Sequence, residues 1–358
     1  MFKAKSGAKL ALTLFVFAAV VLSGCNVVKT DKKTATLLKV EDAAMADLTA
    51  EVNRFARVRS IRAQMDLKFE DNSFAQFGNK EVYRAADGEI VVQRPGRILL
   101  NVKVPVIKTD VAQMTSDGKN FRVAILQDGG SGKYKKFVKG TNAADYSKLQ
   151  QDLDESMNDG AIKQNVNAFA NLRPQHFTDA MLVQPIDLLH AYTVSTIFQV
   201  EEDETAPKKS PLRKVNRGYY LLDEYVREAS GDLRITRRFW FDRVGGIRLA
   251  RQQIFDREGE IESDIVYGAE GTLGDTAEFD RLPLQIVVTR PREKYAMKLT
   301  YQVPAKVKIG NEYPETAFTL ENSWGLEELD LDKKLQEVLA RKPPGGSLAN
   351  QNSSTRFH

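Results

Sequence analysis

Cysteine is almost absent from this chain: Cys25 stands alone among 358 residues. One thiol cannot close an internal disulfide, so the fold must rest on buried apolar surface. Histidine is nearly as scarce, with only His176, His190 and His358. Zinc sites built from cysteine and histidine are excluded, and no metal or cofactor is expected. Long apolar runs are missing too. The one that stands out, Leu10 to Leu22, has 13 residues, too few for a helix across the ~30 Å hydrocarbon core of a bilayer. Charge is near balance, with 52 Lys and Arg against 48 Asp and Glu. No basic field is left to recognise nucleic acid.

What is present begins at the start. Lys3, Lys5 and Lys9 lead into the apolar run, and Leu22-Ser23-Gly24-Cys25 closes it. A basic head, a short apolar core and a small-residue cleavage site read as a secretory signal over residues 1–24. Its removal takes three lysines away and brings the rest close to neutrality. The closing tetrapeptide resembles the bacterial lipobox, whose cysteine becomes the first mature residue and carries diacylglycerol on sulfur. That resemblance implies lipidation at Cys25 and a body anchored to a membrane of the cell envelope. Asn26, where aspartate would signal inner-membrane retention in enteric bacteria, points to the outer membrane, facing the periplasm. Residues 25–36, polar and lysine-rich after Cys25, read as a flexible tether.

Residues 37–56 carry helical spacing at Leu38, Met45, Leu48, Val52 and Phe55. Then Ile61, Ala63, Met65, Leu67 and Phe69 alternate with Arg62, Gln64, Asp66, Lys68 and Glu70. This is a strand with one apolar and one wet face. Strands follow near 79–86 and 89–93, with Ala86-Asp87-Gly88 as the turn between them. After the break at Arg94-Pro95-Gly96-Arg97, further strands read at 98–104, 110–116 and 120–126, and a seventh holds Tyr134 and Phe137. Residues 142–192 show helical spacing and read as an insert, and 201–214 as a charged loop. The meander resumes at 217–228, 233–242, 247–256, 261–268, 284–290, 295–302 and 305–310. Residues 323–340 form a C-terminal amphipathic segment, and 341–358 read as a disordered tail. The class is mainly β (α+β): a large curved antiparallel sheet or open half-barrel, with helices covering the concave side.

Catalytic signals are weak. Gly129-Gly130-Ser131-Gly132-Lys133 has the wrong spacing for a phosphate loop, and Tyr134 replaces the needed hydroxyl residue. His176 and His190 have no Ser or Cys nucleophile nearby in sequence. Asp152, Asp154 and Glu155 read as solvated charge on a polar helix. No enzyme is expected.

Arg94-Pro95, then Pro105, then Thr115-Ser116-Asp117-Gly118-Lys119 resembles the strand–turn pattern of the Lol lipoprotein carriers. Trp240-Phe241-Asp242 and Arg251-Gln252-Gln253-Ile254-Phe255-Asp256, each before a glycine turn, resemble it too. The likeness spans residues 37–322. It implies a LolA/LolB-like domain, an open sheet over helices with an apolar cavity between. The implied ligands are acyl chains of lipids or lipoproteins, with a periplasmic carrier protein as a further partner. The expected acyl-binding face is Met65, Leu67, Phe69, Leu100, Val102, Phe239, Phe241, Met297 and Tyr301. The chain is longer than those carriers, and Val106-Ile107 is the nearest match to the receptor's protruding apolar loop. Two readings stay open: a lipid- or lipoprotein-binding module in sorting to the outer membrane, and a regulatory or scaffolding lipoprotein that contacts protein partners.

Overall fold

The computed structural model describes residues 34–71, 81–82, 86–105, 108–127, 132, 135–146, 149, 173–203 and 206–340. Cys25, Val106-Ile107, Gly129 to Ser131, Lys133, and Asp152, Asp154 and Glu155 lie outside them. Two compact units divide the chain. The smaller takes residues through Leu37 together with Val200–Asn216. Within it, β1 (Thr36–Leu37) lies parallel to residues 215–216. A single helical turn over Pro211–Arg213 is capped by the Ser210 hydroxyl, which accepts from the Leu212 amide at 3.1 Å.

The larger unit is Leu38–Gln199 with residues from Arg217 onward. Helix α1 (Met45–Ala56) opens it, and Asp47 accepts the Ala44 amide at 2.8 Å to cap its first turn. Leu48, Val52 and Phe55 recur at helical spacing and are its buried side chains. The expected start at residue 37 is too early, because the periodic stretch before Met45 has no helical turn. Strand β2 (Ser60–Asp71) is followed by β3 (Glu81–Val82), β4 (Ala86–Gln93), β5 (Arg97–Lys103), β6 (Asp110–Ser116), β7 (Asn120–Ile125) and β8 (Lys136–Thr141). Helix α2 (Pro174–Met181) begins with proline at its first position, where the missing N–H costs nothing. It leads to β9 (Ala191–Glu202) and β10 (Lys214–Arg227), which pair and straddle the division between the units.

A second meander follows: β11 (Leu233–Asp242), β12 (Arg248–Phe255), β13 (Ile261–Tyr267), the short β14 (Glu270–Gly271) and β15 (Leu282–Pro283), β16 (Gln285–Arg290) and β17 (Tyr295–Tyr301). The chain closes with β18 (Lys308–Ile309), β19 (Glu327–Asp330) and α3 (Leu331–Ala340).

The two meanders meet at β2, which pairs with β4 on one edge and β17 on the other. The first long strand is therefore the middle of the sheet. From it, β4 to β8 extend one way and β17, β16, β13, β12, β11 and β10 the other, all antiparallel. Parallel pairing occurs where β19 lies against β8 and β1 against residues 215–216, so the sheet is mixed rather than purely antiparallel. It is not closed into a barrel.

Three further expectations are corrected. Ala86-Asp87-Gly88 is no turn but the first part of β4, opposite Leu67, Asp66 and Met65. A Cβ at Gly88 would stand 2.6 Å from Leu67 Cδ1, so a larger residue there requires that buried side chain to shift. Residues 182–190 are extended or turning, not helical. Residues 305–310 yield only β18 after a helical turn at Pro304–Lys306.

Candidate functional site

The larger unit buries one continuous apolar cluster on the inner face of its sheet. Alternation puts Met65, Leu67 and Phe69 on that face, and register sets them opposite Tyr301, Leu299 and Met297. Five of the nine expected acyl-face residues are thereby neighbours across one strand pair. Leu100 and Val102 lie two strands away on β5, opposite Ile90 and Gly88. Phe239 and Phe241 lie far along the other wing, opposite Leu222 and Tyr220. All nine belong to or pack against the same cluster; Phe69 and Val102 are half-buried and the other seven are buried.

Two helices roof this face. Phe55 of α1 meets Tyr267 with ring centroids 5.4 Å apart. Helix α2 packs over β4, β5, β6 and β16, burying His176, Phe177, Ala180 and Met181. The Tyr295 hydroxyl hydrogen-bonds His176 Nδ1, so this histidine is a structural member of the roof. Burial pushes the Tyr295 phenol well above its usual range.

Beyond α2 the chain crosses the inner face as a strap, and two arginines hold it by its carbonyls. Arg94 donates to Val183 O at 2.6 Å and Leu182 O at 3.4 Å, and to Val58 O at 3.0 Å. Among the described residues no carboxylate pairs with it, and burial lowers its pKa. Arg237 donates to Gln184 O and Pro185 O, each at 3.0 Å. Its Nε and Nη2 also donate to Glu224, a buried carboxylate that further accepts from Thr236 and Tyr192, each at 2.7 Å. Burial alone would raise the Glu224 carboxyl; Arg237 and these hydroxyls bring it below its ordinary value. Asn53 of α1 accepts the Ile186 amide at 3.1 Å and ties the strap to the first helix.

The strap ends in a fixed turn. Asp187 accepts the Leu189 and His190 amides and donates its own N–H to Tyr192. Leu188 and Leu189 project from it, 93% and 92% exposed.

One titratable group under the roof is out of place. Asp179 of α2 is half-buried, with Tyr267, Glu262, Arg290 and Arg237 near its carboxyl. Burial first, then Glu262, pushes it up to about 7, against the opposing pull of Arg290 and Arg237. The Tyr267 hydroxyl is buried with no hydrogen-bond partner among the described residues.

A separate cleft of about 720 Å³ is lined by Arg173, Arg234, Asp256, Glu262, Arg290 and Glu293 among others. Its charges are largely paired, as Arg290 with Glu293 at 2.6 Å and Arg292 with Asp256 at 2.5 Å. Such a lining suits no acyl chain.

Sequence reasoning missed Arg94, Arg237, Glu224, Asp179 and the leucine pair. One signal was available for Arg237: it has the same parity as Phe239 and Phe241, a charge on the apolar face of its strand. The leucine pair was read as part of a helical run, and only the turn at Asp187 exposes it.

No family model and no curated protein matches the chain. Among solved structures it is similar to a LolA superfamily protein of Nitrosomonas europaea, at 10% identity and TM-score 0.37, covering 78% of this chain and 99% of that one. It is similar to an outer membrane lipoprotein-sorting protein domain of Vibrio parahaemolyticus, at 9% identity and TM-score 0.38, covering 76% and 95%. A DUF1329 family protein of Desulfovibrio piger follows, at 11% identity and TM-score 0.35, covering 78% and 96%.

Proposed function

We propose that this chain is a lipid-anchored protein of the cell envelope whose larger unit binds acyl chains of lipids or lipoproteins. The observation that carries the reading is the floor made by β2 and β17 beneath a removable roof. Met65, Leu67 and Phe69 with Met297, Leu299 and Tyr301 form a contiguous apolar surface in mid-sheet. Above it lies an eight-residue helix and a strap fastened through backbone carbonyls. Hydrogen bonds to carbonyls can be exchanged for water at small net cost, roughly 1 kcal/mol each. An acyl chain replacing the roof gains about 0.8 kcal/mol per buried CH₂.

Cys25 is the anchor in this reading, and the outer membrane its residence. No helix among the described residues is long and apolar enough to cross a membrane. Diacylglycerol on Cys25 supplies the two chains that stable attachment requires. Cys25→Ser is expected to move the chain into the soluble fraction; a variant that stays with membranes through a salt wash contradicts the anchor.

The regulatory or scaffolding reading is favoured by a different observation. The nine face residues are packed into one cluster, while Leu188 and Leu189 stand in solvent on a rigid turn, as a protein contact would require. Titration with a fluorescent fatty-acyl probe separates the two. The carrier reading expects saturable binding, weakened about tenfold (~1.4 kcal/mol) by Phe69→Asp at the half-buried end of the floor. Absence of binding by a folded wild-type chain leaves the scaffold reading.

A further inference from the structure

The charged cleft at the start of α2 adjoins the acyl face. Along β16, alternation puts Ile286, Val288 and Arg290 on the inner side, all three buried, so an apolar face ends in an arginine. Register gives the order. Val288 lies opposite Met297, which lies opposite Phe69; one rank further, Arg290 lies opposite Tyr295, which lies opposite Asp71. Successive ranks on one face of a strand are about 7 Å apart. Arg290, which lines the cleft, thus stands one rank beyond the half-buried end of the floor.

Arg173, the residue before α2, is the under-used cation of this cleft. Among the described residues its guanidinium makes one hydrogen bond, to Ala144 O at 2.7 Å, and lies over the Tyr146 ring at 5.0 Å. Burial and then Arg290 lower its pKa, against the opposing pull of Asp145 and Glu293. Three of the other arginines are paired: Arg290 with Glu293 and Glu262, Arg292 with Asp256, Arg234 with Glu228. Arg257 and Glu258, adjacent and exposed, offset one another. A second unmet group lines the same cleft. Asn142 is 5% exposed, and its Oδ1 has no hydrogen-bond partner among the described residues. A guanidinium with spare N–H groups calls for an oxyanion, and an orphaned acceptor calls for a donor. A simple anion answers only the first.

We propose that this cleft is the head-group subsite of an acyl lipid, built for a phosphodiester whose head carries a hydroxyl. In this assignment, which rests on the acyl-binding reading, the chains lie over β2 and β17 and the phosphate meets Arg173. The hydroxyl donates to Asn142 Oδ1. A planar guanidinium fork matches two phosphate oxygens at once. A neutral hydroxyl suits a buried acceptor better than an ammonium does, because burying a charge costs far more. The size agrees: about 720 Å³ is the volume of a site for a ligand with several functional groups, and a fatty acid's carboxylate alone would leave most of it unfilled.

Competition against a fluorescent fatty-acyl probe tests this on the full chain carrying Cys25→Ser. Three short-chain lipids with the same acyl groups are compared: phosphatidylglycerol, phosphatidylmethanol, which lacks the hydroxyls, and diacylglycerol, which lacks the phosphate. The parent chain is expected to bind phosphatidylglycerol about tenfold tighter than diacylglycerol, with phosphatidylmethanol between them. Arg173→Gln is expected to bring both phosphodiesters to the level of diacylglycerol and to leave diacylglycerol unchanged. Ala143→Glu adds a negative charge at an exposed position of the cleft wall and is expected to weaken the two phosphodiesters alone. Equal binding of the three lipids by the parent, or an undiminished phosphatidylglycerol preference in both variants, overturns the head-group subsite and leaves the acyl-binding reading standing. A parent chain that binds none of the three overturns both. Calorimetry with glycerol phosphate, a head without chains, is expected to show far weaker binding than the lipid. Binding as tight as the lipid's makes the ligand a soluble phosphate ester and overturns the lipid assignment.

Discussion

Asp179 is the residue at which roof and floor are least reconciled. Its carboxyl has an ordinary value of 3.8 and is pushed up to about 7 by burial and by Glu262. The folded chain thus holds this proton more tightly than the unfolded one. Below about pH 4 both states are protonated and the residue is neutral to stability. As pH rises from there the unfolded state releases its proton first, so stability falls until the folded carboxyl also ionises near 7. Asp179→Asn keeps the shape and removes the titration. Its melting temperature is expected to match wild type below about pH 4, to rise above it progressively from there, and to exceed it by several degrees at neutrality and above. Parallel melting curves across that range show that Asp179 reaches water in the folded chain. Nothing in sequence marks this carboxyl, because its pKa is set by residues 58 to 111 positions away.

At the scale of elements, the strap decides whether the floor can be reached. Arg94 is the cleaner handle, since its loss strands no carboxylate among the described residues, whereas removing Arg237 leaves the buried Glu224 without its guanidinium partner. Arg94→Leu forfeits hydrogen bonds to Val58, Leu182 and Val183. Amides of residues 182–190 are expected to exchange about tenfold faster, with β2 and β4 unchanged. Uniform acceleration across the sheet points to global destabilisation instead, and no change means that Arg237 and Asn53 hold the strap alone.

The elements differ in how much their residues disclose. Strict alternation in 61–70 identified β2 and its inner face without error. Gly88 misled because glycine in a polar context signals a turn, while its actual role is to admit Leu67 from the neighbouring strand. Ile186 to Leu189 misled because a short apolar run has no period of its own, and the hydrogen bonds of Asp187 decide it.

For the whole molecule, the mainly β class and a large open sheet were legible, whereas the twelve-residue β9 was not read as a strand. That β2 joins the two meanders, with β17 on its far edge, was not legible either. The partners lie more than 200 residues apart, and period-two patterning carries no information on which strand pairs with which. The same pairing makes five of the expected acyl-face residues neighbours, so the central claim rests on it. The most direct test is native mass spectrometry of the full chain released gently from its membrane. The account predicts a covalent diacylglycerol increment on Cys25 and, in addition, a population carrying a non-covalent acyl lipid that Phe69→Asp reduces. A folded chain that carries no non-covalent lipid, and takes up none when acyl lipid is added, contradicts it.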